Sequence, residues 1–131
     1  MASLSLRILV VDDDPRILEA LRAALEGDGH LLTTADGGQE AVDAFLAAET
    51  HGTPFDVVIT DLGLPNVGGR TVAATVKRIR SDTPVVLLTG SAAHLVKEGH
   101  LPAHVDRMLT KPPRLSELRT VLQELTGVAK A

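Results

Sequence analysis

Several side chains that could take part in phosphoryl chemistry stand at the ends of apolar segments of this sequence. Asp12 and Asp13 follow the first segment, Asp61 follows the third, Thr89 ends the fourth and Lys111 follows the fifth. Carboxylates that meet at one edge repel each other, and a divalent cation with a preference for oxygen, usually Mg²⁺, removes that conflict. A lysine and a hydroxyl beside the metal could bind a phosphoryl group, so an aspartate nucleophile would form an aspartyl phosphate.

The apolar segments themselves have the character of β-strands. They occupy residues 6–11, 30–35, 55–60, 84–89 and 105–110. The first, third and fourth are nearly continuous in Val, Ile and Leu, which is typical of parallel strands buried on both faces. The second and fifth are more polar, and we expect them at the edges of the sheet.

Helical patterns alternate with the strands. Apolar residues with helical spacing predict buried helix faces, which consist of Ile17, Leu18, Leu21 and Leu25; Val42, Phe45 and Leu46; Val72, Val76 and Ile79; and Leu115, Leu118, Val121, Leu122 and Leu125. A weaker pattern at 91–99 predicts a short helix, and Gly27 and Gly29 should end the first one. The alternation predicts an α/β fold, (βα)₅, with a doubly wound parallel five-stranded sheet.

Composition narrows the functional class. The 131 residues, 44% of them hydrophobic, suit a single domain, 1–131, with its core at about 6–125 and no output domain. A net charge of −4 and the presence of only two aromatic residues argue against nucleic-acid binding. The absence of cysteine excludes disulfides and thiolate metal sites. With no signal-like segment and no run that could span a bilayer, we expect a cytoplasmic domain without membrane contact.

Taken singly, each candidate side chain has a simpler interpretation as a turn former, a surface residue or strand filler. Asp14 precedes Pro15 and fits a helix N-cap, so we assign Asp14 to capping and Asp12 and Asp13 to the site. The remaining candidates gain weight together, because open α/β sheets bind ligands beyond the carboxyl ends of their strands. Strand 2 ends in a sequence that reads as a helix start and contributes nothing to the site.

Four segments resemble the signatures of response-regulator receiver domains. They are "ILVVDDDP", "VVITDLGLP", "VVLLTG" and "LTKPP". Their order and spacing match this family across about residues 6–125. The resemblance implies a flavodoxin-like fold with strand order 2-1-3-4-5, an order for which a member of this family is a standard illustration.

The resemblance also implies roles for individual residues. Asp61 would be the phosphoacceptor, and Lys111 and Thr89 would contact the phosphoryl group. Pro112 would follow Lys111, commonly through a cis peptide bond. The implied Mg²⁺ ligands are Asp12, Asp13, Asp61 and the backbone carbonyl of Gly63.

Family membership would imply a phosphorelay function. The phosphoryl group would come from a phosphohistidine of a histidine kinase or histidine phosphotransfer domain, and water would later remove it. Gly63 and Ser91 offer no bulk to shield the group, so we expect a lifetime that is not unusually long. The new charge would draw Thr89 inward and switch the face that extends from strand 4 to the fifth helix. Partners would read that face, and it could also form a receiver dimer.

Two positions depart from the family pattern. Met108 stands three residues before Lys111, where an aromatic is common, so the aromatic flip that accompanies switching cannot occur in the same form. Gly68 precedes the loop glycine Gly69, where an Asp is common. The C-terminal segment is similar to receiver domains of hybrid sensor histidine kinases, which favours an excised domain over a stand-alone regulator.

Other functions fit the sequence less well. An Asp-nucleophile phosphatase would carry D-x-D-x-T after the first strand, where this chain has "DDDPR" and no cap domain. A nucleotide or flavin module would carry a glycine-rich phosphate loop after that strand, and none is present. His94, His100 and His104 could bind a transition metal, but their spacing fits no single helical face, so scattered surface histidines are the favoured interpretation.

Overall fold

The computed structural model describes residues 5–90 and 102–127. Within these ranges one sheet has the order β2-β1-β3-β4-β5, and every neighbouring pair of strands is parallel. The strands are β1 (Arg7–Val11), β2 (Leu31–Ala35), β3 (Val57–Asp61), β4 (Val85–Thr89) and β5 (Arg107–Thr110). The predicted flavodoxin-like α/β fold and its strand order are confirmed, and the two more polar strands lie at the edges as expected.

The helices follow the predicted alternation. They are α1 (Pro15–Gly27), α2 (Gly38–Thr50), α3 (Gly69–Ile79) and α4 (Leu115–Thr126), the last of which is the fifth helix of the sequence prediction. The predicted helix at 91–99 lies outside the described residues. Among the helices that are described, none has the length and apolar character needed to cross a membrane.

The central strands are buried on both faces because alternate residues enter two different cores. In β1, Leu9 and Val11 pack into the core beneath α2 and α3, whereas Ile8 and Val10 pack into the core beneath α1 and α4. All four of these side chains are fully buried. This explains the nearly continuous apolar runs, since a strand between two helical layers has no face that meets water.

The start of α1 confirms the capping assignment. Asp14 is the N-cap, its Oδ1 accepts a hydrogen bond of 2.9 Å from the backbone N–H of Arg16, and Pro15 is the first helical residue. The helix ends at Gly27, and Gly29 beyond it has a left-handed φ of 94°. The cap leaves Asp12 and Asp13 outside the helix, at the end of β1.

Helix α2 differs from its prediction most clearly at Leu46, and Val42, also expected on the buried face, is only half-buried. Leu46 was expected on the buried face, but 44% of it is exposed. The buried residues are Ala41 and Phe45, and Ala44 packs against the same core. Successive residues of an α-helix point in directions about 100° apart, so only one of Phe45 and Leu46 can point at the sheet. Small residues let α2 approach the sheet closely, and Leu46 is left at the surface.

Candidate functional site

The ends of β1 and β3 bring three carboxylates together. Val11 pairs with Thr60 in the register of the two strands, so Asp12 and Asp61 stand side by side at the carboxyl edge of the sheet. Carboxylate oxygens of Asp12, Asp13 and Asp61 all lie within 4.8 Å of one another. Asp61 proves to be the last residue of β3 and pairs with Leu88 of β4, rather than following the strand.

Lys111 lies between two of these carboxylates. Its Nζ is 2.9 Å from Oδ2 of Asp12 and 3.1 Å from Oδ1 of Asp61. The backbone N–H of Lys111 donates to the carbonyl of Thr89 at 2.9 Å, which fixes the residue just beyond β5. The bond from Lys111 to Pro112 is cis, as the resemblance implied. Lys111 and Asp12, which are 99 positions apart in the sequence, thus belong to one ion-pair cluster.

The charge of Lys111 is stabilised by these contacts. Burial disfavours its ammonium form, but the hydrogen bonds to Asp12 and Asp61 and the attraction of both carboxylates outweigh burial and raise the pKa of Lys111 above 10.5. The lysine therefore stays cationic throughout the physiological pH range.

The three carboxylates differ in their surroundings. Asp12 is fully buried, and its Oδ1 accepts a hydrogen bond of 2.8 Å from the backbone N–H of Asp14. Asp61 is 6% exposed, and its Oδ1 accepts a longer bond of 3.3 Å from the N–H of Gly63. Asp13 is exposed, and in the part of the chain that the structure describes it has no ion pair.

This donor set fits Mg²⁺. Hard oxygen ligands from one exposed and two buried carboxylates suit a small divalent cation that retains several waters. Three negative groups and one ammonium leave two formal negative charges, which one divalent cation would balance. Among the described residues, Asp12, Asp13 and Asp61 form the one group of three or more His or acidic side chains close enough to share a cation.

An open cleft gives access to Asp61. Gly63, Thr89 and Lys111 line it together with Asp61, so the cleft contains the predicted nucleophile, hydroxyl and cation. Thr89 is 4% exposed and ends β4, where its Cα pairs with Thr110 of β5. Ile17, Leu62 and Gly90 also line this cleft. None of them was assigned to the site from the sequence, because they carry no reactive group.

Gly63 does not have a left-handed backbone. The left-handed glycines of the described residues are Gly29, Gly52 and Gly127. A Cβ at position 63 would meet nothing within 4 Å. Glycine is therefore not required there by backbone conformation, and its place beside Asp61 leaves the cleft open.

The glycine that the fold requires is Gly69, the first residue of α3. A Cβ there would overlap the carbonyl oxygen of Asp61 and lie 3.0 Å from its carbonyl carbon. The N–H of Gly69 donates to the carbonyl of Leu62 at 3.2 Å, so α3 starts directly against the end of β3. Gly68 has ample space, with the nearest atoms at 3.9 Å. Nothing in the pattern of residues around them distinguishes the two glycines.

The other candidate positions have simple locations. Met108 is half-buried, packs against the core beneath α2 and α3, and pairs with Leu87. His104 is exposed, with a left-handed φ of 68°. His94, His100 and Ser91 lie outside the described residues.

The family profile of the response regulator receiver domain matches residues 8–123. A solved structure with the same fold is the receiver domain of the sensor histidine kinase PA1611 from Pseudomonas aeruginosa, crystallised with a magnesium ion in its active-site cleft. It superimposes with a TM-score of 0.82 and 25% identity over 95% of this chain and 99% of that one.

Two curated relatives come from different kinds of protein. The transcriptional regulatory protein TcrA of Mycobacterium tuberculosis is 38% identical over 92% of this chain and 46% of its own length. The sensor protein GacS of Pseudomonas syringae is 31% identical over 98% of this chain and 14% of its own length. This chain thus spans about half of the regulator and a seventh of the sensor. The order of its strands, its acidic edge and the match over 8–123 show that the chain belongs to the response regulator receiver domain family of two-component signalling.

Proposed function

We propose that this chain is the phosphoacceptor receiver domain of a two-component phosphorelay and that Asp61 accepts the phosphoryl group. The observation that carries the proposal is the cluster in which the Lys111 ammonium lies 2.9 Å from Asp12 and 3.1 Å from Asp61. A structural ion pair needs one carboxylate, whereas this lysine faces two, at the mouth of an open cleft and beside a third carboxylate on Asp13.

The proposed transfer takes place at the exposed side of Asp61. A carboxylate oxygen of Asp61 forms a bond to the phosphorus of a phosphohistidine, the P–N bond breaks, and the imidazole nitrogen leaves with the bonding pair. Lys111 binds a phosphoryl oxygen, and the hydroxyl of Thr89 donates to another. Mg²⁺ held by Asp12, Asp13, Asp61 and the carbonyl of Gly63 would supply positive charge for the oxygens in transfer.

Hydrolysis ends the signal. Water attacks the phosphorus, the bond to the Asp61 oxygen breaks, and inorganic phosphate leaves the free carboxylate behind. Gly63 is exposed and carries no side chain, so it does not shield the phosphoryl group, and we expect no unusually long lifetime. Release of phosphate should be followed over time with Mg²⁺ present; a phosphorylated form that persisted for many hours would contradict this expectation.

The phosphodonor is proposed to be a histidine kinase or a histidine phosphotransfer domain. An apolar groove between α1 and α4 adjoins the cleft, since Ile17 and Pro112 line both. Ala20, Ala24 and Leu115 continue it away from Asp61. A helix that carries the phosphohistidine could place apolar residues in this groove and its imidazole in the cleft, which supports a helical donor.

The signal is proposed to leave through the face between β4 and α4. Movement of Thr89 toward a phosphoryl group would act on β4, and Met108 would repack beside it in place of an aromatic side chain. Partners would read this face, and a receiver dimer could form through it.

We further propose that this domain comes from a hybrid sensor histidine kinase, which the similarity to GacS supports. The alternative is a stand-alone response regulator, and the similarity to TcrA supports a regulator origin instead. The neighbouring coding sequence distinguishes these origins, because a hybrid kinase would encode sensor and kinase segments next to this domain.

A second function class is the Asp-nucleophile phosphatase, which has a carboxylate nucleophile and Mg²⁺ in common with the proposed receiver domain. Beryllofluoride, which stands in for a phosphoryl group, separates the two in an NMR titration with Mg²⁺. A receiver should show a stable complex with shifted amide signals at Gly63, Thr89 and Lys111, and these shifts should vanish in Asp61→Asn. Steady turnover of phosphomonoesters by the wild-type protein would instead support the phosphatase and overturn the proposal.

A further inference from the structure

Gly38, the first residue of α2, lies against the loop that follows the proposed phosphoacceptor. A Cβ at position 38 would overlap the carbonyl oxygen of Val67 and would stand 2.8 Å from the carbonyl carbon and from the Cβ of that residue. Two of these three atoms belong to the backbone, so rotation of a side chain could not relieve the overlap. Helix α2 and the loop 62–68 therefore touch backbone to backbone.

This contact lies near the C-terminal end of the loop, two residues before the start of α3. Gly69 closes on the carbonyl of Asp61, and its N–H donates to Leu62. Asn66, which directly precedes Val67, has a left-handed φ of 64°, which Asn tolerates better than most residues. Gly63 is the second residue of this loop, and its N–H lies 3.3 Å from Oδ1 of Asp61, the residue against which Gly69 closes.

The helix is the firmer of the two partners. Ala41 and Phe45 anchor α2 in the core and are at most 1% exposed, and the Phe45 ring stacks on Phe55 with their centroids 6.2 Å apart. Val67 is only half-buried at the margin of the same core. A methyl group at position 38 would thus displace the loop rather than the helix, because moving α2 would disrupt a close-packed core.

We propose that Gly38 is a positioning residue for the phosphoacceptor site. By allowing α2 to touch the backbone of Val67, it sets the path of the loop and thereby the place of Gly63 beside Asp61. This inference rests on the proposed function, since it assigns to Gly38 an effect on the metal and phosphoryl site and not on folding alone.

Two alanine variants test the proposal. Gly38→Ala introduces the overlapping Cβ, whereas Gly37→Ala places the same methyl one residue earlier, where φ is −159° and nothing lies within 4 Å. Mg²⁺ affinity is measured by isothermal titration calorimetry, because the chain has no Trp or Tyr to report on binding. The rate of labelling by acetyl phosphate is the second measurement, and circular dichroism verifies that each variant is folded at the assay temperature.

Gly38→Ala should bind Mg²⁺ more weakly and label about 10- to 100-fold more slowly, as expected when a reacting group is misplaced by roughly 1 Å. Gly37→Ala should match the wild-type protein. If the two variants behave alike while the wild-type protein labels at Asp61, the inference is overturned and the proposed function stands. Failure of the wild-type protein itself to label at Asp61 would overturn the proposed function and this inference with it.

A measurement on the unmodified chain covers the case in which Gly38→Ala does not fold. Mg²⁺ and then beryllofluoride are added to the ¹⁵N-labelled wild-type protein, and the amide signals at both ends of α2 are compared. The signals of Gly38 and Val67 should shift together with that of Gly63, and that of Gly52, beyond the far end of the helix, should not. A shift at Gly63 without one at Gly38 would overturn the inference.

Discussion

At the scale of single residues, the three clustered carboxylates have different parts in the fold. Asp12 is fully buried and paired with Lys111, so its charge is already compensated without a metal. Asp13 is exposed beside it and has no ion pair in the described ranges. Its position is explained by metal binding better than by folding, which makes it the residue to change first.

Asp13→Ala should leave the metal-free stability within about 0.5 kcal/mol of the wild-type value, because an exposed and unpaired side chain is removed. It should also lose most of the increase in Tm that Mg²⁺ gives the wild-type protein, an increase that corresponds to about 2.7 kcal/mol at a metal concentration 100 times Kd. Thermal unfolding followed by circular dichroism over a range of Mg²⁺ concentrations measures both effects.

The matched control is Asp36→Ala. Asp36 is an exposed acid at the same edge of the sheet, after β2, and it lies outside the carboxylate cluster. Asp36→Ala should keep the full increase in Tm that Mg²⁺ gives the wild-type protein, although it changes the net charge by the same amount as Asp13→Ala. If Asp13→Ala also kept the full increase in Tm with Mg²⁺, Asp13 would not be a ligand of the metal.

Most of the site could be predicted because reactive residue types stood at strand ends, where the topology of a parallel sheet brings them together. Asp12, Asp61 and Lys111 were found in this way. Gly38 and Val67 were missed, since a contact between two backbones leaves no trace in hydrophobic pattern or charge.

At the scale of elements, the two adjacent glycines at the start of α3 should respond differently to substitution. Gly69→Ala should destabilise the protein by about 1–3 kcal/mol, because its Cβ would overlap the end of β3.

Gly68 is the N-cap of α3, with φ −77° and no side-chain cap. Gly68→Ser should therefore stabilise by about 0.5–1 kcal/mol through a new cap and a less flexible unfolded chain. Urea unfolding measures both, and equal midpoints for the two variants would refute the distinction.

The turn between α1 and β2 contains a histidine that must be neutral. Nδ1 of His30 accepts a hydrogen bond of 3.1 Å from the backbone N–H of Leu6, at the start of β1. Burial lowers the pKa of His30 below its ordinary 6.5, and the nearby charge of Asp28 only partly opposes this. Arg119 of α4 forms two hydrogen bonds of 2.8 Å with Asp28, which reduces the influence of that carboxylate.

Stability should consequently fall as the pH falls below about 6.5. As the pH falls, His30 is protonated in the unfolded chain at a higher pH than in the folded protein. The stabilisation of the folded state by neutral His30 is therefore fully present above pH 6.5, and it is lost progressively as the pH falls toward the lower pKa of the folded state. His30→Asn places an amide oxygen near the Nδ1 position and does not titrate. Urea midpoints at pH 7.5 and 5.5 should differ less in His30→Asn than in the wild-type protein, and equal differences would rule out this role for His30.

The elements themselves were more predictable than their faces. Continuous apolar runs identified the buried strands, since only a strand covered by helices on both sides tolerates them. Leu46 was misassigned because helical spacing alone does not state how closely two layers approach. Alanine at 41 and 44 brings α2 near the sheet and leaves the larger residue outside.

At the scale of the whole molecule, strand order joins residues that are far apart in sequence into one chemical site. Placing β1 and β3 side by side at the centre of the sheet puts Asp12 next to Asp61, and β5 returns Lys111 to the same edge. We propose that this edge is an Mg²⁺-dependent aspartyl phosphorylation site.

Phosphorylation by acetyl phosphate, with the modified residue identified, tests this proposal. Intact-mass and peptide mass spectrometry are applied to the wild-type protein and to Asp61→Asn, with Mg²⁺ and with a chelator. We predict one phosphoryl group per chain, located on Asp61 and formed only with the divalent cation, and no label in Asp61→Asn. Label that persists in Asp61→Asn, or that maps to another residue of the wild-type protein, would contradict the assignment.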